Sequence, residues 1–444
     1  MSTISLPKQS AMMRRDFIYG VATSSFQIEG ARDSRIDCIW DTFCAQPNTI
    51  EDGTHGDIAC EHVKYWRQDV DMIADLGVDA YRLSVAWGRV MNEDGSVNKA
   101  GLQFYIDLVD ALHAKNIKVF ITLYHWDLPQ YLEDKGGWLN RDTAHAFAHY
   151  TDIVSKALGE DVYSYATLNE PFCSAFLGYE AGIHAPGKTG KGNGRQAAHN
   201  LLLAHGLGMR VLRRNVPKSM CGIVLNFSTA YSASESPEDI AATRMGDEYH
   251  NHWYIQPLLE ASYPDVINHL EPHERPVIED GDMDIISEKN DFIGINYYTR
   301  AVFKSDGNGW FDQVVPQGDG LTAMGWEIVP DAFTKLLVDL NARYELPPIY
   351  ITENGAAFDD SEVNGEVPDQ PRIDYFNSHL RAVDSAMEQG VDIRGYFAWS
   401  LMDNFEWALG YSKRFGIVYV DYDTQKRTLK NSALGYKAML NHRL

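Results

Sequence analysis

The sequence has few basic residues for its length and no long apolar run. Its 39 lysines and arginines are outnumbered by 62 aspartates and glutamates, which gives a formal net charge of -23 over 444 residues. The field of such a chain repels phosphate, so we expect neither a nucleic acid nor a membrane as partner. No stretch approaches the roughly 20 consecutive apolar residues of a membrane-spanning helix. A neutral or cationic small molecule fits this charge better.

We also predict neither paired cysteines nor a secretory leader. The N-terminal residues contain no apolar segment of about 7 to 15 residues followed by a cleavage site. The cysteine count is odd, and no two cysteines form a CxxC pair; they are Cys38, Cys44, Cys60, Cys173 and Cys221. We therefore predict a cytoplasmic, reduced protein without a disulfide scaffold or a cysteine zinc site. We interpret residues 1–14 as a flexible N-terminal extension.

Linkers long enough to separate domains are scarce. The glycine-rich or acidic segments 187–194, 305–320 and 359–371 are short and lie between periodic segments. Hydrophobic residues make 45% of the chain and aromatic residues 12%, which is enough material for a large core. Although length alone suggests about three domains, we interpret residues 1–444 as a single domain.

Short runs rich in β-branched and aromatic residues alternate with stretches of helical periodicity. The helical stretches cover residues 61–76, 102–115, 142–158, 196–214, 331–344 and 373–389. The eight strand-like runs lie near residues 17–26, 80–87, 118–126, 163–170, 221–230, 292–300, 349–354 and 394–401. This alternation predicts an α/β fold, a single (β/α)8 TIM barrel. With 444 residues for eight units, the surplus predicts long loops at the C-terminal face of the strands.

Acid, amide, imidazole and indole groups follow nearly all of these runs. In a barrel, the C-terminal ends of the strands form one rim, which is the usual catalytic face. Glu170 ends the fourth run and Glu353 ends the seventh. Two carboxylates on one rim, without a cluster of metal ligands, suit acid/base or nucleophilic chemistry on a polyhydroxylated substrate. We therefore expect no metal and no cofactor.

Seven motifs carry a resemblance over nearly the whole chain. They are FIYGVATSSFQIEG, YRLSVAWGRV, TLYHWDLP, TLNEP, INYYTR, YITENG and WSLMDNFEW. With them the sequence closely resembles glycoside hydrolase family 1, the retaining β-glucosidases and their relatives. The resemblance implies that Glu170 is the general acid/base and Glu353 the nucleophile, with Arg82 and Tyr298 favouring an ionised Glu353. A retaining mechanism predicts that the two carboxyl groups lie about 5 to 5.5 Å apart.

The same resemblance implies a subsite for the sugar of a β-glycoside substrate. Asn169 would hold the 2-hydroxyl, Glu406 would accept hydrogen bonds from O4 and O6, and Trp399 would form a stacking floor. The complete implied set is Gln27, His125, Trp126, Asn169, Tyr298, Trp399, Glu406 and Trp407. Asn226, Trp326 and His184 resemble residues on the leaving-group side. Core packing is the alternative for each tryptophan, including Trp87.

Three other functions compete with a β-glucosidase. A 6-phospho-β-glycosidase would be expected to have serine at position 406 and tyrosine at position 415, where this chain has Glu406 and Phe415. A non-catalytic carbohydrate-binding relative should lack one of the two carboxylates. A metal-dependent barrel hydrolase would draw on the histidine pairs at 145 and 149 or at 250 and 252. We expect a side activity on β-galactosides and β-fucosides. The preference among these glycosides, the preferred leaving group and a homo-oligomeric state stay open.

Overall fold

Eight parallel strands close into a barrel, which confirms the predicted fold class. The structure is a computed structural model that describes residues 3–443. Within these residues the strands are β1 (Ile18–Ala22), β2 (Ala80–Ser84), β3 (Lys118–Tyr124), β4 (Ser164–Asn169), β5 (Met220–Ser232), β6 (Phe292–Ser305), β7 (Phe311–Gln313), β8 (Ile349–Asn354), β9 (Ile393–Trp399), β10 (Val418–Val420) and β11 (Arg427–Leu429).

The barrel consists of β1 to β6 together with β8 and β9. Each strand pairs in parallel with its neighbours, and the ring closes where β9 pairs with β1. β1 and β2 are buried along their whole length, as expected for parallel strands that are covered on both faces. β7 pairs antiparallel with the outer part of β6, and β10 pairs with β11 in a separate hairpin.

The barrel interior is filled by side chains. One buried cluster takes a residue from every barrel strand: Ile18, Ala80, Phe120, Ala166, Val224, Phe292, Tyr350 and Phe397. Such layers of side chains from successive strands make the barrel a packed core with its site at one end. A second and larger cluster lies between the strands and the surrounding helices.

The helices surround the barrel, and each of the six predicted periodic stretches corresponds to one of them, with bounds that differ by at most about five residues. The α-helices are α1 (Ser25–Ile28), α2 (Ile39–Cys44), α3 (His62–Leu76), α4 (Trp87–Val90), α5 (Lys99–Ala114), α6 (Gln130–Glu133), α7 (Asp142–Leu158), α8 (Lys191–Asn215), α9 (Pro237–Asp247), α10 (Trp253–Glu260), α11 (Asp282–Ile286), α12 (Pro330–Arg343), α13 (Gln370–Glu388) and α14 (Asn431–Leu440). Two π-helical segments cover Cys173–Glu180 and Glu248–His252. Within residues 3–443, none of the helices is long and apolar enough to cross a bilayer.

Three loop predictions need correction. The glycine-rich segment 187–194 is a loop only at its start, because α8 already begins at Lys191. The segment 305–320 contains β7, which is stabilised by its pairing with β6. α13 begins at Gln370, inside the predicted loop 359–371.

The N-terminal segment differs from the flexible extension that we predicted for residues 1–14. Residues 1 and 2 lie outside the described residues, but Ile4, Leu6 and Met12 are buried in the large core cluster. The Ser10 hydroxyl donates a 2.5 Å hydrogen bond to Asp384 on α13. The segment is packed because its apolar side chains cover α13 and α14, a surface that the local sequence does not reveal.

Candidate active site

A cavity of about 310 Å³ opens at the C-terminal rim of the barrel. Most of the predicted site residues line it: His125, Trp126, Glu170, His184, Asn226, Tyr298, Trp326, Glu353, Trp399, Glu406 and Trp407. Arg82 and Asn169 are buried and form hydrogen bonds with the lining residues Glu353 and His125. Gln27 is buried as well, and its amide donates to Asn404 Oδ1 and to the main-chain oxygen of Phe405. The structure therefore brings together side chains from all eight barrel strands or from the segments that directly follow them.

Glu353 is held in place by two donors. Arg82 Nη1 donates to its Oε1 at 2.6 Å, and the Tyr298 hydroxyl donates to its Oε2 at 2.6 Å. The guanidinium cannot lose its proton under ordinary conditions, so it presents a permanent positive charge to this carboxylate. Each oxygen of Glu353 thus accepts one hydrogen bond, and the one from Arg82 is charge-assisted.

Glu170 lies in the same cavity, but no cationic side chain within residues 3–443 forms an ion pair with it. Asn296 Nδ2 donates to its Oε1 at 2.6 Å, and the Cys173 thiol lies 3.2 Å from its Oε2. Burial and the nearby charge of Glu353 raise the pKa of Glu170 to about 8. Two glutamates of one cavity therefore have different environments, one that stabilises a charge and one that retains a proton.

A chain of hydrogen bonds connects the two carboxylates behind the cavity wall. Asn296 also donates to Asn169 Oδ1 at 3.1 Å, and Arg82 Nη2 donates to the same oxygen at 2.6 Å. The Thr352 hydroxyl donates to Asn296 Oδ1 and fixes its orientation. The predicted site does not include Asn296 or Thr352, although the INYYTR and YITENG motifs contain them. The feature of the sequence that could have identified Asn296 is an amide side chain at the end of a strand.

The deep end of the cavity is aromatic. Trp126 and Trp407 have ring centroids 4.6 Å apart, and His125 stacks against Trp399 and Trp407 at about 6 Å. The Trp126 indole nitrogen donates to the main-chain oxygen of Asn169. Burial and then the charge of Arg82 hold the pKa of His125 well below its usual range, so the imidazole is neutral. These rings offer flat apolar faces beside polar edges.

Three residues of this site have a left-handed backbone. The φ angles are +48° at Glu170, +74° at Trp126 and +50° at Trp407. Non-glycine residues in such conformations cost about 1 to 3 kcal/mol and persist where the surrounding contacts hold them. We infer that the fold positions these side chains before any ligand binds.

Glu406 is a third carboxyl group on the wall of the cavity. Within the described residues its Oε2 has no hydrogen-bond partner, although the atom is buried. Burial and the charges of Glu353 and Glu170 raise the pKa of Glu406 to about 8. A buried acceptor without a partner is costly, and a ligand that donates a hydrogen bond there would relieve the cost.

The histidine pairs of the metal-dependent alternative do not form a metal centre in this structure. His250 lies among phenylalanine rings, and His252 contacts the Tyr344 hydroxyl and Asp247. Across residues 3–443, no group of three or more His, Cys, Asp or Glu side chains is arranged to hold a metal ion. Trp87 packs against Tyr150 and Phe147 outside the cavity, which agrees with the core-packing alternative.

Comparison with known proteins identifies the family. A model of glycosyl hydrolase family 1 matches residues 9–443. The chain belongs to glycosyl hydrolase family 1. It is 44% identical over 432 residues to a β-glucosidase of Agrobacterium sp., a match that covers 96% of this chain and 94% of that protein. The family assignment makes this chain a glycoside hydrolase.

Two further relatives agree with this assignment. A bifunctional β-D-glucosidase/β-D-fucosidase of Bifidobacterium breve is 41% identical over 455 residues, covering 96% of this chain and 97% of that protein. The solved structure of a Thermotoga maritima family 1 glycoside hydrolase, complexed with a cyclophellitol analogue transition state mimic, superposes with a TM-score of 0.94. That match has 42% identity and covers 100% of this chain and 99% of the other.

Proposed function

We propose that this family 1 hydrolase is a retaining β-glucosidase that removes terminal non-reducing β-D-glucosyl residues. The observation that carries the proposal is the unequal environment of Glu170 and Glu353 in one cavity. Cellobiose, short cello-oligosaccharides and aryl or alkyl β-glucosides are the proposed substrates. The β-glucosidases among its relatives support this substrate class.

The reaction proceeds in two displacements. Glu353, which accepts hydrogen bonds from Arg82 and Tyr298, attacks the anomeric carbon while Glu170 gives its proton to the departing oxygen. The bond to the leaving group breaks and a covalent glycosyl-enzyme forms. The negative charge of Glu353 is then gone, so the pKa of Glu170 falls and the carboxylate takes a proton from an attacking water. The second displacement releases the sugar with its original configuration.

The deep end of the cavity is the proposed sugar subsite. Asn169 points one amide hydrogen at His125 and retains a second for the 2-hydroxyl. The Gln27 carbonyl oxygen accepts one hydrogen bond, from Ser24, and has capacity for a sugar hydroxyl. Glu406 accepts from O4 and O6 and thereby satisfies its buried oxygen, while Trp399 supports the ring. Activity on β-fucosides is proposed in addition, as in the name of the Bifidobacterium breve relative.

We also place the protein in the cytoplasm. All five cysteines are free, and four of them are buried. Free thiols are typical of a reducing compartment.

The role of Glu353 is tested with the Glu353→Ala variant. We expect the variant to lose turnover of nitrophenyl β-glucoside, and azide to restore part of it by forming the glycosyl azide of inverted configuration. Normal turnover without azide would refute the assignment. Assays of nitrophenyl β-glucoside and its 6-phosphate with the wild-type protein separate this proposal from a phospho-glycosidase, which would hydrolyse only the second.

A further inference from the structure

The Cys173 thiol lines the cavity but has no role in the proposed reaction so far. Cys173 begins the π-helical segment three residues after Glu170, and it is only 8% exposed. Its backbone N–H donates to the Glu170 main-chain oxygen at 2.9 Å, and its thiol lies 3.2 Å from Glu170 Oε2. This turn therefore holds the thiol against one of the two side-chain oxygens of the acid.

The neighbouring amides determine which oxygen of Glu170 carries the acidic proton. Arg82 can only donate, so the atom of the Asn169 side chain that faces it at 2.6 Å is the oxygen. That oxygen also accepts from Asn296, whose nitrogen therefore faces both Asn169 Oδ1 and Glu170 Oε1. Oε1 is thus engaged as an acceptor, which leaves Oε2 for the proton of the neutral acid.

Glu170 Oε2 is the oxygen that faces the thiol, and a thiol can bond it in both protonation states. While the acid is neutral, the sulfur lies beside the proton on Oε2 as a weak acceptor. When the proton has passed to the leaving oxygen, Oε2 is negatively charged and the S–H group donates to it. A hydrogen bond to a charged oxygen is stronger than one to a neutral oxygen. The thiol therefore stabilises the ionised acid more than the neutral acid.

The thiol keeps its own hydrogen while the acid gains and loses a proton. Burial and then the charge of Glu170 raise the pKa of the Cys173 thiol well above its usual range. The thiol is therefore still a donor at the pH at which Glu170 ionises. Within residues 3–443, Cys173 is the group that forms a hydrogen bond with Oε2. The other titratable or charged groups around Glu170 are Arg82, Tyr298, Glu353 and Glu406.

We propose that Cys173 is a positioning residue for the acid, because its thiol orients the proton-bearing Oε2 of Glu170 and donates to that oxygen once the proton has left. This inference rests on the proposed double displacement and adds a residue to it. The proton passes from Oε2 to the leaving oxygen in the first displacement, and a proton returns from water to Oε2 in the second. The S–H hydrogen stays on sulfur, and no covalent bond to sulfur forms.

The test measures how kcat/KM on an alkyl glucoside falls at alkaline pH. Cys173→Ala and Cys173→Val both remove the donor, although alanine is smaller than cysteine and valine is larger. We expect both variants to move the midpoint of this fall upward by at least about 0.5 pH unit, because the ionised acid loses a hydrogen bond. Cys173→Ser retains a donor and should leave the midpoint at or below the wild-type value.

The orientation of the acid is measured separately, on the acidic side of this fall. We expect Cys173→Ala and Cys173→Val to lower kcat/KM on the alkyl glucoside at least about threefold more than on dinitrophenyl glucoside, which leaves without a proton. Equal losses on the two substrates would contradict the inference.

Cys221→Ala is the matched control. Cys221 is another buried cysteine, and its thiol faces the main-chain oxygen of Ser219 on the outside of the site. We expect this variant to keep the wild-type midpoint. An unshifted midpoint in Cys173→Ala and Cys173→Val, shifts of opposite sign in these two, or an equal upward shift in Cys173→Ser would overturn the inference while the proposed function stands. If the wild-type protein hydrolyses no glucoside, the proposed function fails, and the inference fails with it.

Discussion

Glu170 and Glu353 are identical side chains that the barrel places in different surroundings. The first faces an amide and a thiol, whereas the second faces a guanidinium and a phenol. The difference in charge state that the two proposed displacements require therefore follows from the neighbours of each carboxyl group. The sequence predicts both carboxylates and Arg82, because they lie in specific motifs. It does not predict that Asn296 contacts Glu170, since that contact depends on how β4 and β6 are each aligned with β5, the strand between them.

Replacing Glu170 by alanine should separate substrates by the quality of their leaving groups. We expect losses of about 100-fold or more for alkyl glucosides, which need the proton, and much smaller losses for dinitrophenyl glucoside. Steady-state kinetics on both substrates measures the difference. Equal losses would contradict the role of Glu170 as the acid.

The pH profile gives an independent check of the same residue. Because burial and Glu353 raise the pKa of Glu170 to about 8, the acid keeps its proton at neutral pH and loses it above about pH 8. We expect kcat/KM of the wild-type protein on an alkyl glucoside to fall on that alkaline side. In the Glu170→Ala variant, assayed with dinitrophenyl glucoside, the alkaline fall in kcat/KM should vanish. If the same fall persists in the variant, it is caused by the titration of another group, such as Glu406.

At the scale of elements, the segment that follows β9 carries Glu406 and Trp407 and is anchored by buried charges. Asp403, between β9 and Glu406, accepts hydrogen bonds from Lys430 at 2.7 Å and from Arg414 at 2.6 Å. Lys430 also contacts Asp360 at 2.5 Å. These groups are fully or almost fully buried apart from Arg414, so each depends on its partners for solvation.

Removing the charge of Lys430 should destabilise the protein strongly. Lys430→Met leaves two buried carboxylates short of a partner, and we expect a loss of about 3 to 5 kcal/mol in the free energy of unfolding. Lys437→Met is the control. Because Lys437 pairs with Asp75 at the surface, we expect this substitution to lower the free energy of unfolding by less than about 1 kcal/mol. Urea unfolding of both variants measures the difference. Similar small losses in both would show that the buried network does not anchor this segment.

The barrel strands and main helices were predictable because each has a strong periodic or continuous apolar pattern. α7, for example, has the bounds that its periodicity predicts. β7 was missed because three residues carry too little pattern and form a strand only against β6. The π-helical segment Cys173–Glu180 gives no signal either, since its distinct hydrogen bonding is not encoded in apolar spacing.

At the scale of the whole molecule, the packed N-terminal segment shows how distant parts of the chain complete the fold. Met12 is fully buried, and the Thr3 oxygen and the Ser5 N–H bond the amide of Asn377 on α13. The first residues thus cover a helix that lies about 370 positions away in sequence. A sequence pattern cannot reveal such a contact, because the apolar residues of the segment are scattered among polar ones.

Truncating Met12 distinguishes a packed segment from a flexible one. We expect Met12→Ala to lower the free energy of unfolding by about 2 to 5 kcal/mol, as for other large-to-small changes in a core. Lys8→Ala, which alters an exposed side chain of the same segment, should change it by less than about 0.5 kcal/mol. Thermal and urea unfolding measure the change in the free energy of unfolding for each variant. Equal and negligible changes would indicate that the N-terminal segment is flexible.

The covalent intermediate tests the central proposal most directly. A 2-deoxy-2-fluoro-β-glucoside with a good leaving group slows the second displacement, so the sugar should remain attached to the protein. We expect the intact mass to rise by one fluoroglucosyl group and peptide mapping to place that group on Glu353. Glu353→Gln should stay unlabelled under the same conditions. Attachment to any other residue, or steady turnover of this compound with no labelled protein, would contradict the account.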